Sequence, residues 1–148
     1  MISIPPKVRI LATIKAGSVY YFKEEKLSST EPHFFVVLNK SPKTEAFLVL
    51  LCASSQVEKR KARAQKLGFL PETLVFVSPS EYRFFNKETV IDCNAVFEKT
   101  TQAVIEKLEH SKLEVCVDML PEPIVKKLVA GVLASNQVSG LVKQMLSD

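Results

Sequence analysis

Across residues 17–94 the chain repeats one arrangement, a short apolar run rich in β-branched and aromatic residues followed by a polar turn. Runs of this length and composition suit strands rather than helices, and the Gly, Pro and Ser residues between them supply the turns. Residues 18–22 read as a first strand. The continuous apolar runs 33–38 and 46–53, separated by a turn at Ser41-Pro42, should pair as an antiparallel hairpin, and 73–77 and 89–93 add two more strands. A small all-β barrel with a polar, basic rim is the predicted core, covering about residues 16–95.

Between the strands, residues 23–31 form a charged, hydroxyl-rich loop without periodicity, a candidate mobile flap. Residues 58–66 (EKRKARAQK) are too polar for a strand and predict a short exposed helix or ordered loop that ends at Gly68 and Pro71. From Val96 the period changes. Phe97, Val104, Ile105 and Leu108 recur at helical spacing, while Leu113, Val115, Val117 and Met119 alternate with polar residues as an edge strand would. Pro121 and Pro123 suit a helix start, and Ile124, Leu128 and Val132 form its apolar stripe. Ser135 or Asn136 is positioned to cap a final helix. The fold class is therefore mainly β with α additions, a single domain of 148 residues whose helical and edge-strand extension spans about 96–148.

A chain of this length buries a core without disulfides or a structural metal. Cys52, Cys93 and Cys116 are odd in number, widely spaced and set in apolar runs, so they read as buried, reduced thiols. Residues 1–14 lack the continuous apolar region and cleavage site of a signal peptide, and no apolar stretch is long enough to span a bilayer. A cytoplasmic protein with no membrane partner is the expectation. The formal charge of +4 and pI near 9.0 permit an anionic partner.

Candidate chemistry concentrates at the rim. Pro32-His33 opens one strand and Ser54, Ser55 and Gln56 close the next, so hairpin pairing brings an imidazole, two hydroxyls and an amide together. His33 is a candidate general acid or base, or a strand-end histidine bonded to its loop. Ser54, Ser55 and Gln56 can hold a phosphate oxygen, or simply satisfy the turn. Lys59 and Arg60 lead the densest basic cluster, which either grips a polyanion or forms a solvated face. Arg83, between Tyr82 and Phe84-Phe85, combines stacking with phosphate contact or belongs to hairpin packing. There is no P-loop, dinucleotide fingerprint, HExxH motif or acidic cluster, so no cofactor or metal is expected and phosphodiester chemistry would be metal-independent.

The order Gly17-Ser-Val-Tyr-Tyr-Phe, loop, Pro32-His-Phe-Phe-Val-Val-Leu-Asn, then Phe47-Leu-Val-Leu-Leu-Cys-Ala-Ser-Ser resembles the opening half of MazF/PemK-like toxins, over about residues 16–97. The resemblance implies an SH3-like barrel, often dimeric, that cuts RNA without metal, leaves a cyclic phosphate and a 5′ hydroxyl, and is neutralised by an antitoxin. That family usually opens the second strand with Arg-Pro, where this chain has Pro32-His33, so the family's arginine is not carried over and His33 stands in its place. Ser54 or Ser55 matches the family's hydroxyl after the third strand. The expectation is an endoribonuclease with His33, Ser54 and Ser55 as catalytic residues and Gln56, Lys59, Arg60 and Arg83 binding RNA, with a homodimer and an antitoxin among its partners. A non-catalytic barrel that binds protein or nucleic acid is the competing class.

Overall fold

The computed structural model describes residues 4–27, 30–110 and 112–147. In chain order the elements are α1 (Pro6–Thr13), β1 (Val19–Phe22), β2 (His33–Val37), β3 (Leu48–Ser54), α2 (Val57–Leu67), a single 3-10 turn (Pro71–Thr73), β4 (Leu74–Val77), β5 (Thr89–Lys99), α3 (Thr101–Glu109), β6 (Leu113–Val115), α4 (Glu122–Ala134) and α5 (Gly140–Leu146). Every strand joins one antiparallel sheet in the order β4-β5-β3-β2-β1-β6.

Two features depart from the sequence expectation. The described residues are 36% helical and 24% strand, so the class is mixed α and β rather than mainly β. The sheet is also open: β4 and β6 are its two edges and do not pair with each other, so the strands do not close into the expected barrel. The physical reason lies in which faces are apolar. From Phe34 to Val37 in β2 and from Leu48 to Ala53 in β3 every position is apolar, and successive side chains point to opposite faces. Val36, Val49, Leu51 and Ala53 pack with Ile124, Leu128 and Val132 of α4 and Val142 and Leu146 of α5. Phe35, Val37, Leu48 and Leu50 pack on the other side with Ile10 of α1 and Val104 and Ile105 of α3. Both faces are thus covered by helices, which is why the central strands read as unbroken apolar runs.

The hairpin between β2 and β3 is as expected, with Phe34 opposite Ala53 and Val36 opposite Leu51. Its connection is closed by Asn39, fully buried, whose Oδ1 accepts the Val49 N–H at 2.6 Å and whose Nδ2 donates to the Phe47 carbonyl at 3.0 Å. Residues 58–66 are helical within α2, stopped by Gly68 in the left-handed conformation at φ +73°. β6 is the expected edge strand beside β1, though shorter than the alternation suggests.

Other boundaries moved. β5 continues to Lys99, past the expected change of period at Val96, because an irregularity between Ile91 and Val96 inserts extra residues against β3. Asn94 holds that bend, donating through Nδ2 to Thr73 Oγ1 at 2.8 Å and to Asp92 Oδ1 at 2.9 Å. Ser135 donates to Asn94 Oδ1 at 2.6 Å and ends α4 as its C-cap rather than starting the final helix; the N-cap of α5 is Ser139, whose Oγ accepts the Val142 N–H. α1 was not signalled by periodicity, although Pro6 occupies a first-turn position that favours a helix start. Among the described residues no helix is long and apolar enough to cross a membrane.

The loop after β1 is fastened at its root. Glu24, 1% exposed, lies 2.6 Å from Lys99 Nζ, and its Oε2 accepts the Lys26 N–H at 3.1 Å. Lys107 of α3 pairs with Glu25 at 3.4 Å and donates to the Lys23 carbonyl. The expected flap spans residues 23–31, of which 28 and 29 lie outside the described residues.

Gly131 sets how closely α4 approaches the sheet. A Cβ there would meet Cys93 Sγ at 2.7 Å and the Glu72 carbonyl at 2.9 Å. Helix propensity alone favours alanine by about 1 kcal/mol, whereas forcing a methyl into a packed core costs about 1–3 kcal/mol. Gly131→Ala should therefore lower the urea midpoint, equivalent to about 1 kcal/mol or more, and an unchanged or raised midpoint would show that α4 can back away.

Candidate functional site

The site is assembled by the end of the β2–β3 hairpin and the helix that follows it. One step beyond the Phe34–Ala53 pair, the antiparallel register sets His33 across from Ser54, on one face of the sheet. Phe22 flanks His33 on the other side and Val90 flanks Ser54, so the row crosses four strands. The chain leaves β3 through Ser55 and enters α2 at Gln56, which occupies the N-cap without a side-chain capping bond.

Around this row lies an open cleft of about 560 Å³. Its lining includes His33, Ser54, Ser55, Gln56, Lys59 and Arg60. Six of the seven residues singled out from the sequence are therefore neighbours. Arg63 lines the same cleft, as helical spacing from Lys59 requires. Lys61 turns away, paired with Glu58 at 3.5 Å and 5.1 Å from the centre of the Phe76 ring. Aromatic rings also line the cleft: Tyr21 and Phe34 have ring centres 4.6 Å apart, and Phe34 and Phe85 have theirs 5.3 Å apart.

Hydrogen bonding orients the central groups. His33 Nδ1 is 3.0 Å from the Glu31 carbonyl oxygen. A carbonyl only accepts, so Nδ1 is the donor in this contact and Nε2 is the ring nitrogen left to take up a proton. Ser54, 7% exposed, accepts the Gln56 N–H at Oγ over 3.2 Å, which leaves its own O–H as a donor. Ser55 and Gln56 are exposed at the cleft wall. A side recess of about 190 Å³ continues between α2 and β5, lined by Cys52, Asp92, Arg60 and Arg63 among others.

Arg83 is elsewhere. It does not line the cleft; its Nε donates to Asp118 Oδ2, and its guanidinium sits 4.8 Å from the centre of the Phe84 ring. The Arg83 hydrogen bond holds the Asp118 carboxyl below its usual range. Tyr82 donates to the Asp118 carbonyl at 2.7 Å, so this group ties the β4–β5 connection to the segment before α4. An arginine flanked by aromatics carries no sign of a carboxylate 35 residues away.

Conversely, Tyr21, Glu31, Asn86 and Thr89 line the cleft and were not singled out from the sequence. Tyr21 and Glu31 belong to β1 and the loop before β2, Asn86 lies in the β4–β5 connection, and Thr89 starts β5 opposite Val77 of β4. Among the described residues no three His, Cys, Asp or Glu side chains gather as a metal-binding group. No family model matches the chain, and no curated protein matches it.

The thiols are unpaired. Burial pushes Cys52 and Cys93 up to about 12, and Cys116 is also raised by burial. None is a ready thiolate near neutral pH. A thiol whose folded pKa lies above its unfolded value of 9.0 holds its proton more tightly when folded. That contribution is intact below about pH 9 and is withdrawn as pH rises towards about 12. Tyr20, also raised by burial, acts in the same direction. The urea midpoint should fall steadily from pH 9 to pH 11, and a midpoint that stays level would mean that these groups titrate normally.

Proposed function

We propose that the protein is a metal-independent endoribonuclease of the toxin–antitoxin type, cleaving single-stranded RNA by attack of a 2′-OH. What carries this reading is the convergence of His33, Ser54, Ser55, Gln56, Lys59 and Arg60 on one open cleft. His33 Nε2 accepts the 2′-OH proton, since the Glu31 carbonyl occupies Nδ1. The 2′-oxygen then forms a bond to phosphorus, the P–O5′ bond breaks, and the 5′-oxygen takes a proton from solvent. The products are a 2′,3′-cyclic phosphate and a 5′ hydroxyl. Ser54 or Ser55 donates to a non-bridging phosphate oxygen, and Lys59 and Arg60 offset the charge that builds on the pentavalent phosphorus. RNA is required because DNA lacks the nucleophile.

A relation to MazF/PemK-like toxins, with an SH3-like core, is part of this proposal. It is supported by the consecutive antiparallel strands β1, β2 and β3 and by the bend in β5. An acidic antitoxin segment would compete with RNA for Lys59, Arg60 and Arg63. One observation favours a binding-only site: the Ser54 hydroxyl already serves the turn by accepting the Gln56 N–H.

Purified protein incubated with single-stranded RNA in excess chelator should yield fragments ending in cyclic phosphate. His33→Ala should slow cleavage by about a hundredfold or more, the usual weight of a general base. Both proteins should unfold at similar urea concentrations, because His33 is partly exposed at a strand end. Intact RNA with the wild-type protein would refute the nuclease, and RNA bound but uncut would leave the binding module.

A further inference from the structure

A second cleft of about 480 Å³ adjoins the first, and the two share Tyr21 and Pro32 as a common wall. Its far side is built by the loop after β1, α3 and the start of β6. Lys23, Lys107 and Lys112 line it, facing the acidic Glu25 and Glu114. These charges are not equivalent. Lys107 and Glu25 form an ion pair at 3.4 Å, and Lys107 also donates to the Lys23 carbonyl, so both are committed to fastening the loop. Lys23 and Lys112 are exposed and form no ion pair in the described structure. They bring two cations to the outer edge of a recess whose inner edge is a tyrosine ring.

That combination fits a nucleotide. A ring wall accepts a base by stacking without regard to its identity, and exposed lysines hold the flanking phosphates. Tyr21 lies beside Phe34, Phe34 lies beside Phe85, all three line the first cleft, and Tyr21 also lines the second, so a strand that passes from the first cleft over Tyr21 arrives at the second. We infer that the cleft between Tyr21 and Lys112 is a second nucleotide subsite, which takes a base and phosphate of the same single-stranded RNA adjacent to the cleaved linkage. This inference rests on the RNA reading of the first cleft and adds to it the path of the strand.

The test is binding of a fluorescein-labelled, mixed-sequence 2′-O-methyl RNA of eight nucleotides, which cannot be cut, measured by anisotropy over a range of salt concentrations. Lys23→Ala/Lys112→Ala should weaken binding by about tenfold. It should also flatten the dependence of log affinity on log salt by roughly 1.4, since each lost phosphate contact in a single strand removes about 0.7. The comparison variant is Lys59→Ala/Arg60→Ala, and all lysine and arginine positions are exposed or half-exposed, so unchanged urea midpoints are expected. If the RNA binds wild type, loses affinity in the Lys59/Arg60 variant, and keeps both affinity and salt slope in the Lys23/Lys112 variant, the second subsite is refuted while the RNA reading stands. If wild type binds no RNA at all, both fall together.

Discussion

The register of β2 against β3 is the constraint on which the rest of the molecule depends. It is fixed by apolar burial on two faces at once, with Phe35, Val37, Leu48 and Leu50 on one side and Val36, Val49 and Leu51 on the other. A slip of one residue would send every one of these side chains to the opposite face. Each buried aliphatic or aromatic side chain contributes about 1.5–3 kcal/mol, whereas a single polar contact in the cleft contributes about 1 kcal/mol. The core therefore dictates where His33 and Ser54 stand, and the site imposes little on the core. Asn39 adds a directional lock at the closed end of the hairpin, opposite the open end that carries His33 and Ser54.

How much of this was legible follows from where the information lies. The hairpin was readable because two unbroken apolar runs flank a Ser-Pro turn, and α2 was readable because a polar, Ala-containing stretch ends in Gly68. The layered architecture was not, since a strand apolar on both faces is compatible with a barrel interior or with helices on either side; only the packing of α1, α3, α4 and α5 decides. The bend in β5 hid that strand's second half, because Asn94 and Asp92 interrupt the alternation with side chains that bond to each other and to Thr73. Ser135 has the residue type of a helix cap, yet its hydroxyl is taken by Asn94. For the site, local signals sufficed where residues are close in sequence, as from Ser54 to Arg60. They failed where a partner is distant, as for Arg83 with Asp118.

The loop between β1 and β2 joins stability to access. Its first half is bound to the body by Glu24 with Lys99 and Glu25 with Lys107, and Leu27 packs on the core cluster beneath α1 and α3 while also lining the first cleft. A buried carboxylate deprived of its cation is destabilising by about 3–5 kcal/mol, so the Glu24 anchor is costly to undo. This arrangement holds the wall of the cleft in position from its root. Lys99 ends β5 and Lys107 lies on α3, so residues beyond the expected 16–95 core also hold the loop that walls the cleft.

The central claim is that the imidazole at the start of β2 and the hydroxyls at the end of β3 act on one bound phosphodiester. It is tested most directly by following the ring nitrogens of His33 and the backbone amides of Ser54, Ser55 and Gln56 by NMR. The protein would be titrated with RNA whose reacting 2′-OH is replaced by hydrogen. The account predicts that these signals shift together, with one saturation curve, while Arg83 and Asp118 stay still. Shifts confined to the Arg83 surface, or none at all at His33 and Ser54, would contradict it.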